Sequence, residues 1–203
     1  MSTTAFERAK SMKLPAVYGL HNPDLVAKVL GFHALNKLPI KPFGNSDNSF
    51  GHMDDARVAL RAGFQVEELL EMFAKGLGIT ARVIIEMPNG DELDASDDGN
   101  IIKALSLSRT RNGKEIVDAA SDSTYFWIGW LIEMGYDLRV AMDEVHGSNL
   151  TKPDENGEAI LNGITPGYQK GEPGYRADQG TGKVLKGPNY MEPNLSAALG
   201  LED

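Results

Sequence analysis

The chain contains no cysteine. Disulfide bonds and thiolate chemistry are therefore excluded, and the composition fits a reducing cytoplasm. No apolar run reaches membrane-spanning length. The opening stretch MSTTAFERAKSMKLP lacks the long apolar core of a secretion signal. Positive charge is scarce: 20 Lys and Arg stand against 29 Asp and Glu, a net charge of −9. A nucleic-acid surface needs a basic patch that releases counterions. Neither nucleic acid nor membrane is thus an expected partner, whereas a nucleotide reached through bridging cations is compatible with the charge. The four histidines form no zinc-ligand pattern. No G-x-x-x-x-G-K-S/T, no G-x-G-x-x-G opening a helix and no G-x-S-x-G occurs, so the common phosphate-loop, dinucleotide and serine-hydrolase readings lose support.

What is present reads as one domain over residues 1–203, long enough to bury a core. Residues 1–20 read as an extended arm. Asn22-Pro23 starts a helix that runs to about Leu35, where Pro39 and Pro42 stop it. Asp54 or Asp55 caps a second helix reaching about Lys75, closed by Gly76 and Gly78. Over residues 79–113, a β-branched run, an Asn89-Gly90 turn and a second arm predict a small hairpin, followed by a short helix from Asn100 to Leu107. A long helix covers Lys114 to Gly135, and Asp137 caps another. Residues 153–182, loaded with Gly and Pro, are a long surface excursion of the functional or mobile kind. The segment GKVLKGPNYMEP follows, with a short helical tail at most.

The long helix organises this reading. Ile116, Val117, Ala119, Ala120, Tyr125, Phe126, Trp127, Ile128, Trp130, Leu131 and Ile132 leave it no broad wet face, which places it in an interior. Glu115, Asp118 and Asp122 nevertheless share one stripe. Buried carboxylates are costly unless a cation meets them, and a divalent metal would do so. The second helix adds Glu67, Glu68 and Glu71 on one face. Taken alone, those three read as a solvated helix face. Packed beside the long helix, the two sets would place up to six carboxylates around one cavity, a donor set suited to Mg²⁺ or Mn²⁺. Lys183, Lys186 and Tyr190 near the end, with Asn149 and Lys152 after a helix, could face phosphates. Gly187 in the Lys-Gly-Pro-Asn-Tyr run permits close backbone approach. His33 lies near an apolar face and reads as a core histidine or as a substrate contact.

Glu68-Leu-Leu-Glu71 followed by Glu115-Ile-Val-Asp118 resembles the E-x-x-E … E-x-x-D signature of the all-α, MazG-like nucleoside triphosphate pyrophosphohydrolases. The stretches VLGFHALNKLP, EVHGSNLTK and GKVLKGPNY resemble the phage-encoded branch, which includes the MazZ-type enzymes of phages that use 2-aminoadenine. The resemblance implies an all-α helical bundle completed by oligomerisation, as a homodimer or homotetramer, in the host cytoplasm. It implies hydrolysis of a nucleoside triphosphate to monophosphate and pyrophosphate with two or more Mg²⁺ or Mn²⁺ ions, and dGTP or GTP as the substrate. A dUTPase-like or broad-specificity enzyme, and a non-catalytic nucleotide- or metal-binding bundle, are the alternatives. Carried over by position, Glu68, Glu71, Glu115 and Asp118 would be metal ligands and Glu67 the group that activates water. Asn149, Lys152, Lys183 and Lys186 would touch phosphate or ribose. Asp122-Ser-Thr-Tyr125 also matches the signature's D-x-x-Y/F continuation, so Asp122 is the alternative to Asp118 as the motif's aspartate, and both are carried as ligands. Against the common pattern of that family, residues 79–113 and 153–182 are insertions.

Overall fold

The computed structural model describes residue 4 and residues 8–10, 24–40, 54–107 and 112–201. The chain is mostly helical with one two-stranded antiparallel sheet. Its elements are α1 (Leu25–Leu35), α2 (Asp55–Glu71), β1 (Ile84–Glu86), β2 (Glu92–Asp94), α3 (Asp98–Leu107), α4 (Gly113–Glu133), α5 (Leu138–Leu150) and α6 (Leu195–Leu199). The proposed arm over residues 1–20 lies largely outside the described residues, and residues 8–10 are helical rather than extended.

Caps set the helix boundaries. The Asp54 carboxylate accepts from Arg57 N at 2.7 Å and starts α2. Asp137 accepts from Arg139 N at 2.9 Å and starts α5. In each case a side-chain oxygen satisfies an orphan N–H of the first turn. Helix α1 begins at Leu25, capped by Asp24. This moves the start forward from Asn22-Pro23, which lie outside the described residues. Asn112 caps α4, accepting from Lys114 N at 3.2 Å. Helix α2 runs straight into a π turn over Met72–Gly76, and Gly78 then leaves the helical region with φ 66°.

The Asn89-Gly90 turn closes the hairpin as the sequence predicts. Ile85 pairs with Leu93, and Gly90 takes φ 86°. Two packed groups follow from the helix faces. In one, α2 lies on α3, which also touches β2 of the hairpin, and Ala59, Leu60, Ala95 and Ile101 are buried there. In the other, α1 and α6 pack on α5, burying Leu35 and Leu150.

The long helix α4 does not occupy an interior. It makes only slight contact with α5 and does not pack on α2. Phe126 is 69 % exposed and Tyr125 76 %. The wide apolar surface that signalled burial is therefore left largely uncovered by the described residues. Thr124, Trp127 and Ile128 line an open cleft beside α1, while Tyr125 and Phe126 point away, on the same side as Asp118 and Asp122.

The excursion over residues 153–182 is built around one side chain. Asn162 is fully buried. Its carboxamide donates to the carbonyls of Arg176 (2.9 Å) and Gln179 (2.7 Å) and accepts from Arg176 N (3.0 Å). Its own N–H reaches the Lys183 carbonyl at 3.0 Å, and Leu161 bridges Val184. A long loop closed by a satisfied buried amide is a fixed scaffold.

Candidate functional site

A cationic cluster forms where α1, α2, the end of α5 and the C-terminal segment meet. Helix α2 supplies a stripe at helical spacing: Arg57, Arg61, Phe64, Glu68 and Glu71. The stripe is basic towards its N-terminus and acidic towards its C-terminus, with Phe64 between. Lys183 Nζ lies 2.7 and 2.8 Å from the two Glu67 carboxylate oxygens and 5.5 Å from the centre of the Phe64 ring. Arg61 covers the same ring at 5.9 Å. Lys152 Nζ sits 5.7 Å from the Phe32 ring.

The C-terminal segment is pinned by α5. Ser148 Oγ donates to the Met191 carbonyl at 2.7 Å, and Met191 N donates to Thr151 Oγ1 at 2.9 Å. Asn194 N donates to the buried Glu144 at 2.8 Å. Gly187 N donates to the Lys152 carbonyl at 2.8 Å. A Cβ on Gly187 would lie 2.5 Å from the Pro153 carbonyl oxygen, so only glycine lets the two strands touch. That contact couples Lys152 to Lys186, whose ammonium lies 4.5 Å from the centre of the Tyr190 ring and 3.2 Å from Glu192.

Electrostatics follow from this crowding. Loss of hydration pushes the Lys152 ammonium below its usual range, and Lys186 and Lys183 push the same way against Glu68 and Glu67. Glu68 moves up, first through desolvation and then through Glu71 and Glu67, with Lys183 and Lys152 opposing. Acids and cations thus feel each other across one site. His33 Nδ1–H donates to the Pro39 carbonyl at 3.0 Å, and its Nε2 accepts from Arg61 at 2.9 Å. Both bonds together require the neutral Nδ1–H tautomer. Desolvation lowers the His33 pKa, as do Arg61 and Arg57, while the Pro39 carbonyl raises it.

Beside this cluster, α1, α4 and α5 border an open apolar cleft of about 580 Å³, lined by Val29, Leu30, His33, Trp127, Ile128 and Met142. His33 belongs to both, with one ring edge on the cleft and Nε2 on Arg61.

Comparison of the chain with protein-family profiles, with curated proteins and with solved structures gives no match.

The predicted site residues divide into two sets. Glu67, Glu68, Lys152 and Lys183 come together, with His33 joined to them through Arg61 and Glu71 one turn further along α2, paired to Lys75 at 2.9 Å. Lys186 and Tyr190 flank them, with the Tyr190 hydroxyl 3.3 Å from Ser148 Oγ. Asn149 lies half-buried in the last turn of α5. Glu115, Asp118 and Asp122 stand apart on the exposed side of α4. The two acidic helices are not neighbours within one chain, and the expected shared cavity is not formed there. Among the described residues no group of three or more His, Asp or Glu is placed to hold a metal ion. The α2 carboxylates fit such an ion only in part, as clustered oxygen donors of which Glu68 is destabilised by like charge. Arg57 and Arg61 are the residues that pattern reading passed over. Their signal was the stripe itself, two turns upstream of the acids.

Proposed function

We propose that the protein is a divalent-metal-dependent nucleoside triphosphate pyrophosphohydrolase of the MazG-like kind, with its site completed by a second copy of the chain. The observation that carries the reading is the convergence of Lys152 and Lys183 on the acidic end of α2. A triphosphate chain carries charge for both: oxyanions for the lysines, and metal-bridged oxygens for the carboxylates.

The second copy enters through α4. Its outer side carries Asp118 and Asp122 together with Tyr125 and Phe126, so whatever covers the aromatic rings also meets the acids. A second α2 is a suitable cover, since its Glu68 and Glu71 need the ions that the α4 acids would help to hold. The interface follows an isologous pairing, with each copy donating α4 and receiving α4. A homodimer satisfies this arrangement, and two such dimers would make a homotetramer.

The bound ions, Mg²⁺ or Mn²⁺, would supply Lewis-acid polarisation and an activated water. The chain does the remaining work. Glu67 accepts the proton of the attacking water, for which Lys183 must first leave its carboxylate and turn to the phosphates. Lys152, half-buried over Phe32, holds the polyphosphate by charge. The apolar cleft beside His33 accommodates a flat base, with guanine as the proposed one.

The test is a panel of canonical ribo- and deoxyribonucleoside triphosphates, assayed separately for pyrophosphate and orthophosphate. With Mg²⁺ or Mn²⁺, pyrophosphate should appear from dGTP and GTP, and EDTA should stop it. Orthophosphate as the first product would identify a phosphatase. Nucleotide binding without turnover would identify a non-catalytic bundle, the reading favoured if the α4 acids never reach α2.

A further inference from the structure

Among the described residues, three cations in the cluster lie in no ion pair. They are Arg57, Arg61 and Lys152, whereas Lys183, Lys186 and Lys75 each have one. All three unpaired groups are half-buried. Cations withdrawn from water without a counter-ion are costly, and an anionic ligand offsets that cost.

Arg61 has instead a neutral partner. His33 Nε2 accepts its N–H at 2.9 Å, and the Pro39 carbonyl locks the imidazole in the accepting tautomer. The Phe64 ring supports the other side of the guanidinium. A carboxylate in the place of His33 would orient Arg61 equally well but would cancel its charge. A neutral acceptor fixes the fork and leaves the charge to be used. Arg57, one helical turn away, faces the same side, close enough to weaken protonation of both His33 and Arg61.

We propose that Arg61 and Arg57 form an oxyanion-gripping subsite for the polyphosphate chain, and that His33 is the positioning residue that aims Arg61. The inference rests on the nucleoside triphosphate reading above and adds two contacts to it. It also revises His33 from a substrate contact to a group that acts through Arg61.

The experiment titrates inorganic tripolyphosphate, without metal, into the intact protein by calorimetry. Wild-type protein binds it. R61Q weakens binding about tenfold or more, since a charge-assisted fork is lost, and R57Q weakens it as well, which keeps the test open should R61Q fail to fold. H33A weakens binding in the wild-type background but adds nothing in the R61Q background, because its effect passes through Arg61. His33→Gln, which keeps an acceptor near Nε2, recovers much of the affinity. Unchanged binding in both arginine variants would overturn the subsite. Additive H33A and R61Q losses would overturn the positioning role. Pyrophosphate release that ignores Arg61 and Arg57 would sink this inference alone. Arg61-dependent tripolyphosphate binding with no hydrolysis of any nucleotide would instead sink the hydrolase reading and leave the subsite standing.

Discussion

Glu71→Ala and Asp118→Ala should each reduce pyrophosphate release by about a thousandfold or more, because each removes an oxygen donor from the same set of ions. Mixing the two inactive proteins after mild dissociation should restore about a quarter of wild-type turnover, the share expected when copies pair at random and one site per mixed pair is intact. The reason is geometric. Glu71 lies on α2 and Asp118 on α4, and these helices do not pack within one chain. A site built from α2 of one copy and α4 of another puts both defects of a mixed pair into one site and leaves the other whole. Both residues are exposed, so neither variant removes a core contact. Circular dichroism should show the helices retained. A mixture as inactive as its parts, with hydrolysis normal in the wild type, would place all ligands within one chain.

Phe126→Asp should separate the assembly and abolish turnover together. The ring is 69 % exposed in the single chain. An aspartate there costs an isolated subunit almost nothing, for it only replaces one wet side chain by another. At the centre of a packed interface the same change removes an aromatic anchor and buries a charge, worth about 2–4 kcal/mol of association. It also adds a fourth negative charge to the side already holding Glu115, Asp118 and Asp122. Light scattering coupled to size exclusion should show the variant as a smaller species than the wild type. Its midpoint of thermal unfolding should no longer rise with protein concentration. A variant that keeps both its size and its turnover would show that this side of α4 faces solvent.

Much of the architecture was legible locally. Asp54 and Asp137 announce their helices because a cap is decided by one side chain and two residues of backbone. Asn89-Gly90 announces the hairpin for the same reason. Asp24 took the cap expected two residues earlier, since Asn22 and Asp24 are both competent and only the helix register chooses between them. The failure over α4 is of another kind. An all-round apolar helix says that something must cover it, but not whether the cover belongs to the same chain. The acidic stripes were visible, while their separation depends on where α3 lies. That short helix takes the place on α2 that the reading had reserved for α4.

The cationic half of the site was less legible still. Lys183 meets Glu67 across 116 positions of sequence, and no periodicity reports a contact of that range. It depends on Asn162, whose burial and three carboxamide hydrogen bonds turn a Gly/Pro-rich stretch into a fixed support. Gly187 was the exception. A glycine between lysine and proline suggested close approach, and its N–H does meet the Lys152 carbonyl. Arg57 and Arg61 carried a readable spacing, but a basic pair on an amphipathic helix is common, and His33 becomes their partner only through the packing of α1.

Hydrolysis in ¹⁸O-water, followed by mass spectrometry of both products, tests the central claim most directly. With dGTP and Mg²⁺, the label should enter the nucleoside monophosphate, leaving pyrophosphate unlabelled, as attack at the α-phosphorus requires. Label in the pyrophosphate, release of orthophosphate instead, or no turnover of any nucleotide would contradict it.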